Sequence, residues 1–247
     1  MKRVLAAGLV AGAVLAGCGS STTNDQRLTV SAAASLKTVL PTIEPGAGYS
    51  FAGSDQLAAQ IRAGARPDVF AAANTKLPQQ LYGAGLAEKP VVFATNKLVL
   101  AVPTSGSHKV GSLADLAKPG VTIAVGSASV PIGSYTRQVL DRLPAKQAKA
   151  IQANFKSNEP DVSGIVGKLT QGAADAGFTY VSDVTGTKGQ LKAVELPASL
   201  QPSVAYGAGI VQGTPNAKQS QAFIDSVTSG PCSKVMRDAG FLPPPTP

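Results

Sequence analysis

Leu28-Thr-Val-Ser-Ala-Ala-Ala-Ser-Leu36 is the stretch that decides how this chain folds. A short apolar run passes through tiny residues to a serine and a leucine, which predicts a buried strand, a tight loop and a helix headed by Ser35. A serine at a helix start sets a hydroxyl beside backbone N–H groups that have no partner within the helix. The positive end of the helix dipole favours negative charge at the same place. One such serine ordinarily does no more than cap its helix. This one gains weight because three later segments repeat the pattern.

The second segment runs Tyr49-Ser-Phe-Ala-Gly-Ser-Asp-Gln-Leu-Ala-Ala-Gln-Ile-Arg62. Gly53 permits close backbone approach, Ser54 heads a helix over 55–63 with Leu57, Ala58 and Ile61 on one face, and Gly64 ends it. In the third, Ala124-Val-Gly-Ser-Ala-Ser-Val-Pro-Ile-Gly-Ser-Tyr135, a strand and loop deliver the amides of Ile132 and Gly133 to a helix start. The fourth is Asn158-Glu-Pro-Asp-Val162, where Pro160 suits a first turn and the Val162 amide points outward along the dipole. Tyr180 ends the next apolar run, with a phenol able to reach a shared cleft. Hydroxyls and helix-start amides are donors, so the chemistry they suit is that of an anion.

Apolar runs at 28–30, 49–52, 69–72, 98–102, 121–125, 177–180, 193–196 and 204–211 alternate with helical patterns at 55–63, 135–143, 162–171, 217–229 and 231–239, which predicts an α/β fold. Loops rich in Pro and Ser at 103–107 and 197–203 suit two crossings between lobes. The expected division is lobe I from 27–102 and 204–241, lobe II from 103–203, and a proline-rich tail over 242–247.

Met1-Lys-Arg, an apolar stretch over 4–16 and Leu15-Ala-Gly-Cys18 form a signal peptide over 1–17, too short to span a bilayer. Leu-Ala-Gly-Cys resembles the lipobox of bacterial lipoproteins, in which the cysteine is acylated. Residues 18–26 then read as a tether, and the protein is expected on the extracytoplasmic face of the cell membrane, anchored through Cys18. The 22 basic residues exceed the 14 acidic ones. Without Lys2 and Arg3 the balance is about +6, scattered rather than clustered, which is unlike a nucleic-acid-binding surface. With Cys18 acylated, Cys232 has no partner for a disulfide.

Several chemistries lack their residues. His108 is the only histidine and lies in a loop sequence with no Cys or carboxylate cluster near it, which argues against a zinc site or a Ser-His-Asp triad. No phosphate-binding glycine loop with its lysine occurs, and Gly207-Ala-Gly209 is followed by Gln212 where a dinucleotide fingerprint needs glycine. The 18–247 stretch contains neither Ser-x-x-Lys nor Lys-Thr-Gly. Asp55 and Asp161 fit first-turn capping positions.

On Ala32-Ala-Ala-Ser-Leu36, Gly53-Ser-Asp-Gln-Leu-Ala-Ala-Gln-Ile61 with Gly64 and Asp68-Val-Phe70, Val130-Pro-Ile-Gly133 and Gly177-Phe-Thr-Tyr180, the chain resembles the molybdate-binding proteins of bacterial ABC importers from about 28 to 241. These are class II periplasmic-type solute-binding proteins. The resemblance implies two α/β lobes around a ligand cleft, and a receptor that captures molybdate or tungstate as cargo for an ABC permease. It implies no cofactor, no resident metal, no catalysis and a monomer. It places the oxyanion on Ser35, Ser54, Ile132, Val162 and Tyr180. The family often has a small residue where this chain has Ile132, and Pro41 and Pro45 break what is usually a longer helix. The alternatives are a sulfate or phosphate receptor of the same fold, or a secreted serine hydrolase acting through Ser35 or Ser54.

Overall fold

A computed structural model describes residues 27–105 and 110–245. The signal peptide, Cys18 with its tether, His108 and the last two tail residues lie outside the described residues.

Two five-stranded sheets are built on one plan. The first contains β1 (Thr29–Ala33), β2 (Gly48–Ala52), β3 (Val69–Ala72) and β4 (Val91–Asn96). The second contains β5 (Leu98–Pro103), β6 (Ile123–Gly126), β7 (Phe155–Glu159), β8 (Ala176–Tyr180) and β9 (Leu191–Glu195), after which β10 (Val204–Ile210) returns to the first. The spatial orders are β2-β1-β3-β10-β4 and β7-β6-β8-β5-β9. In each sheet the first three strands are parallel and the fourth runs against them. Each antiparallel fourth strand is the first strand after a crossing from the other sheet.

That arrangement corrects one expected boundary. The run at 98–102 belongs to the second sheet, where β5 pairs with β8 and β9, and not to the first lobe. The chain crosses at Lys97, the one residue between β4 and β5. A single residue is too short to turn a hairpin, so the two strands part into different sheets. The return crossing lies between β9 and β10, within the loop expected there.

Helices cover the sheets: α1 (Leu40–Ile43), α2 (Ser54–Arg62), α3 (Lys76–Gly83), α4 (Pro131–Asp141), α5 (Ala145–Ala153), α6 (Val162–Thr170), α7 (Val181–Gly186), α8 (Ala217–Thr228) and α9 (Ser233–Asp238). Leu57, Ala58 and Ile61 form the buried stripe of α2, with Asp55 in its first turn and Arg62 in its last, each favourable to the dipole. Gly64, at φ +109°, takes the left-handed conformation that ends it. Pro41 stands in the first turn of α1, where its missing N–H is tolerated, and Pro45 follows the helix end, so α1 is a single turn.

The same clamp registers both sheets. Asp68, just before β3, accepts from the N–H and hydroxyl of Thr29 at 2.6 and 2.7 Å, from Asn216 at 3.3 Å and from the Thr214 hydroxyl. Asp175, just before β8, accepts from the N–H and hydroxyl of Thr122 at 2.8 and 2.6 Å. Each clamp fixes a central strand against its neighbour at the end opposite the inter-lobe cavity. Burial pushes the Asp68 carboxyl up, but the hydrogen bonds from Thr214, Thr29 and Asn216 prevail and hold it below the usual carboxylate range.

One apolar core runs through both sheets. It includes Leu28, Val30 and Phe93 from the first, Leu100, Ile123 and Phe178 from the second, and Phe241 from the chain end. A smaller cluster of Leu57, Ile61, Phe70 and Leu81 lies under α2 and α3. The tail is partly held, because Leu242 pairs with Thr95 at the free edge of β4. Among the described residues no helix is long and apolar enough to cross a membrane.

Candidate functional site

Between the sheets, at the carboxyl ends of their parallel strands, is a small cavity. Ligands in open α/β sheets bind in this position. Its first-lobe wall is Ala33 to Ser35 after β1, Ala52 to Ser54 after β2 and Ala73 after β3. The second-lobe wall is Val130 to Ile132 after β6, Asp161 and Val162 after β7, and Tyr180 at the end of β8. Ser35, Ser54, Ile132, Val162 and Tyr180 therefore converge on one space. Among the described residues no lysine or arginine lines it.

The two serines sit differently from the helix caps that the sequence predicts. Ser35 is the middle residue of a three-residue 3-10 turn, Ala34–Leu36, with Ala33 at the N-cap position and no side-chain capping bond. β1 continues to Ala33, so too little chain is left for a capped helix. Ser54 is the first residue of α2, and Gly53 holds the cap position. Freed from capping, both hydroxyls make other contacts. Ser54 Oγ accepts the Ala73 N–H at 3.1 Å, which leaves the serine hydrogen to point elsewhere. Ser35 Oγ lies 3.0 Å from the Tyr206 hydroxyl. Both serines are buried, with cavity on their remaining side.

Across the cleft, Pro131 opens α4 and has no N–H, so Ile132 carries that helix's first amide. Val162 is the first residue of α6, whose cap is Asp161. The Asp161 carboxylate accepts from Gly164 N at 3.1 Å and leaves the Val162 amide without an intrahelical partner. Gly133 is required where it stands, since a Cβ there would lie 1.8 Å from the Ser127 carbonyl oxygen. The fully buried Tyr180 hydroxyl has no hydrogen-bond partner among the described residues. Burial holds the Tyr180 and Tyr206 phenols well above their ordinary pKa, so both remain protonated donors at neutral pH.

The lobes are closed on each other. Across the cleft Tyr206 and Tyr180 pack edge to face with ring centroids 5.8 Å apart, and within the second lobe Tyr180 meets Tyr135 in the same way at 6.4 Å. Asn96, at the end of β4, donates to Ser182 Oγ in α7 at 2.9 Å. Gly53 abuts the far lobe so closely that a Cβ would lie 2.5 Å from Pro160 O and 3.3 Å from a Val130 methyl.

Asp183, the third residue of α7, accepts the Tyr180 N–H at 2.9 Å. Burial raises its pKa to about 7; the Tyr180 N–H opposes the shift and the nearby Asp161 carboxylate adds to it. The folded value lies above the unfolded one. Its contribution to stability is therefore full below about pH 4 and is lost as pH rises through about 7. Asp183 is partly exposed, so solvent moderates the loss. The melting temperature is expected to fall from about pH 4 to about pH 7, and Asp183→Asn to flatten that fall. An equal slope in both proteins would remove Asp183 as its cause.

Sequence reasoning missed Tyr206, Ala73, Gly53 as the contact point, and Asp183. The two serines are poorly suited to nucleophilic catalysis, because the recorded partners of their oxygens are a phenol and an amide rather than a base. Among the described residues no group of three or more His, Cys, Asp or Glu could hold a metal ion.

Residues 47–242 match the family model described as bacterial extracellular solute-binding protein. The molybdate-binding protein ModA of Mycobacterium tuberculosis is 33% identical over 262 residues, which cover 97% of this chain and 98% of the relative. A putative ABC transporter substrate-binding lipoprotein, YvgL of Bacillus subtilis, is 29% identical over 96% of each chain. Among solved structures, the periplasmic molybdate-binding protein of Azotobacter vinelandii superposes with a TM-score of 0.79 at 21% identity, covering 89% of this chain and all of that one.

Proposed function

Because the chain belongs to the bacterial extracellular solute-binding protein family, alongside the molybdate-binding proteins, we propose that it captures molybdate outside the cytoplasm and passes it to an ABC permease. The observation that carries this reading is the convergence of three hydroxyls and two helix-start amides on a cavity that no basic side chain among the described residues lines. A tetrahedral dianion that is fully deprotonated at neutral pH needs donors and no acceptor. Ser54 already accepts an amide hydrogen and the Tyr180 hydroxyl has no partner among the described residues, so both hold a hydrogen ready for an oxyanion. Charge-assisted hydrogen bonds contribute about 1.5–3 kcal/mol each, so five supply roughly 7–15 kcal/mol against the costs of desolvation and closure. Sub-micromolar affinity is within that range.

Titration calorimetry against an oxyanion panel tests the reading. Molybdate and tungstate, of nearly equal size, should bind tightly, and the smaller sulfate at least tenfold more weakly, a difference of about 1.4 kcal/mol. Phosphate keeps a proton at neutral pH and needs an acceptor, and the one carboxylate in the wall, Asp161, already accepts the Gly164 N–H. Sulfate or phosphate binding as tight as molybdate would overturn the assignment. Turnover of a chromogenic ester would instead support a hydrolase. On this reading the oxyanion is cargo and the protein works as a monomer without catalysis.

Tyr180→Phe separates a binding role from a structural one. Its hydroxyl has no hydrogen bond to lose, so stability should hold or rise by about 1 kcal/mol, while molybdate affinity falls by about 1.5–3 kcal/mol. Destabilisation with unchanged affinity would argue against the role.

Anchoring through Cys18 belongs to the same proposal and is supported by Leu15-Ala-Gly-Cys18 directly after the apolar leader. Cys18→Ser should move the protein from the membrane to the soluble fraction and leave molybdate binding intact. A wild-type protein found soluble and unacylated would overturn the anchor.

A further inference from the structure

Ser35 and Ser54 face the same cavity, yet their hydroxyls are governed differently. The partner of Ser54 is the Ala73 amide, which can only donate, so the Ser54 hydrogen is free for a ligand. The partner of Ser35 is another hydroxyl, Tyr206 at 3.0 Å, and either oxygen could be the donor. The direction matters. If Ser35 donates to Tyr206, it turns lone pairs toward the cavity and repels an oxyanion; if Tyr206 donates, the Ser35 hydrogen points into the cavity.

We propose that Tyr206 is a positioning residue for the anion: its phenol donates to Ser35 Oγ and thereby commits the Ser35 hydrogen to the ligand. This rests on the oxyanion reading of the cavity. Tyr206 reaches Ser35 from β10, a strand of the first sheet that arrives directly after the return crossing. Its ring is fixed on three sides, by Phe241 at 5.3 Å, Tyr180 at 5.8 Å and Phe93 at 6.0 Å, and the residue is fully buried. A phenol held this firmly loses little further freedom when the ligand binds. Donors aligned as Tyr206 to Ser35 to anion polarise one another in the same sense, which strengthens the terminal bond. Tyr206 also packs on Tyr180, so with the lobes closed it touches one cavity residue in each lobe.

The test is a pair of double-mutant cycles read by molybdate calorimetry, with melting temperatures recorded for every variant. Tyr206→Phe keeps the packed ring and removes only the hydroxyl. It should weaken molybdate binding by about three- to tenfold in the wild-type background, and by less than about twofold in Ser35→Ala, where no hydroxyl remains to be oriented. In Ser54→Ala the full three- to tenfold loss should persist, because the Ala73 amide orients Ser54. A merely structural role for Tyr206 predicts the same loss in all three backgrounds, and that result would overturn the proposal. Unchanged affinity of Tyr206→Phe would overturn it too, while leaving the molybdate reading intact. Failure of the wild-type protein to bind molybdate would overturn both.

Discussion

Gly53→Val is expected to fold normally and to lose molybdate binding by at least a thousandfold. The backbone at Gly53 has φ −58° and ψ 134°, which any residue adopts, so the substitution carries no conformational penalty of its own. Its side chain would lie where the lobes meet, 2.5 Å from Pro160 O for the Cβ alone. The valine therefore acts as a wedge that keeps the cleft open. In an open cleft the anion still reaches Ser35 and Ser54 but not the Ile132 and Val162 amides or the Tyr180 hydroxyl. Three charge-assisted bonds at about 1.5–3 kcal/mol each correspond to roughly 4.5–9 kcal/mol, which sets the thousandfold floor. Small-angle scattering should show wild-type protein more compact with molybdate than without, and Gly53→Val equally extended in both. Near-wild-type affinity in this variant would mean that closure does not assemble the site.

The first-lobe half of the site has its own large effect. Ser35→Ala with Ser54→Ala should weaken binding by about 3–6 kcal/mol, hundreds- to ten-thousand-fold, with each single change giving about half of that. The cost in stability should be smaller. Neither hydroxyl caps a helix, so what is lost is the Tyr206 contact of one and the Ala73 contact of the other, about 1 kcal/mol each. Calorimetry and thermal unfolding on the same samples separate the two effects. Unchanged affinity in the double variant would remove both serines from the site.

How much of this was legible in the sequence depended on how local the signal is. β3 and α6 were readable because their apolar patterns are local and their ends are marked by Asp68 and by Pro160-Asp161. α3 was missed since Pro78 stands as its third residue, a position where the missing N–H costs nothing. α5 buries only Ile151 and β7 alternates half-buried with exposed residues, so neither has an apolar signature. β4 was missed, and with it the true crossing at Lys97.

The five residues that meet at the cavity were legible because each stands where a strand enters a turn or helix. The local geometry was not, because a serine at the N-cap and a serine one or two residues further on read alike. Tyr206 could not be found from sequence spacing. It is 171 residues from Ser35, and only the return of β10 to the first sheet brings them together.

Anomalous diffraction at the molybdenum edge, from crystals grown with molybdate, tests most directly whether this cleft holds a dianion by donors alone. The account predicts one strong peak between the lobes, with oxyanion oxygens within about 3 Å of Ser35 Oγ, Ser54 Oγ, the Ile132 and Val162 amides and the Tyr180 hydroxyl, and no basic side chain in contact. A peak outside the cleft, or one held by a lysine or arginine, would contradict it.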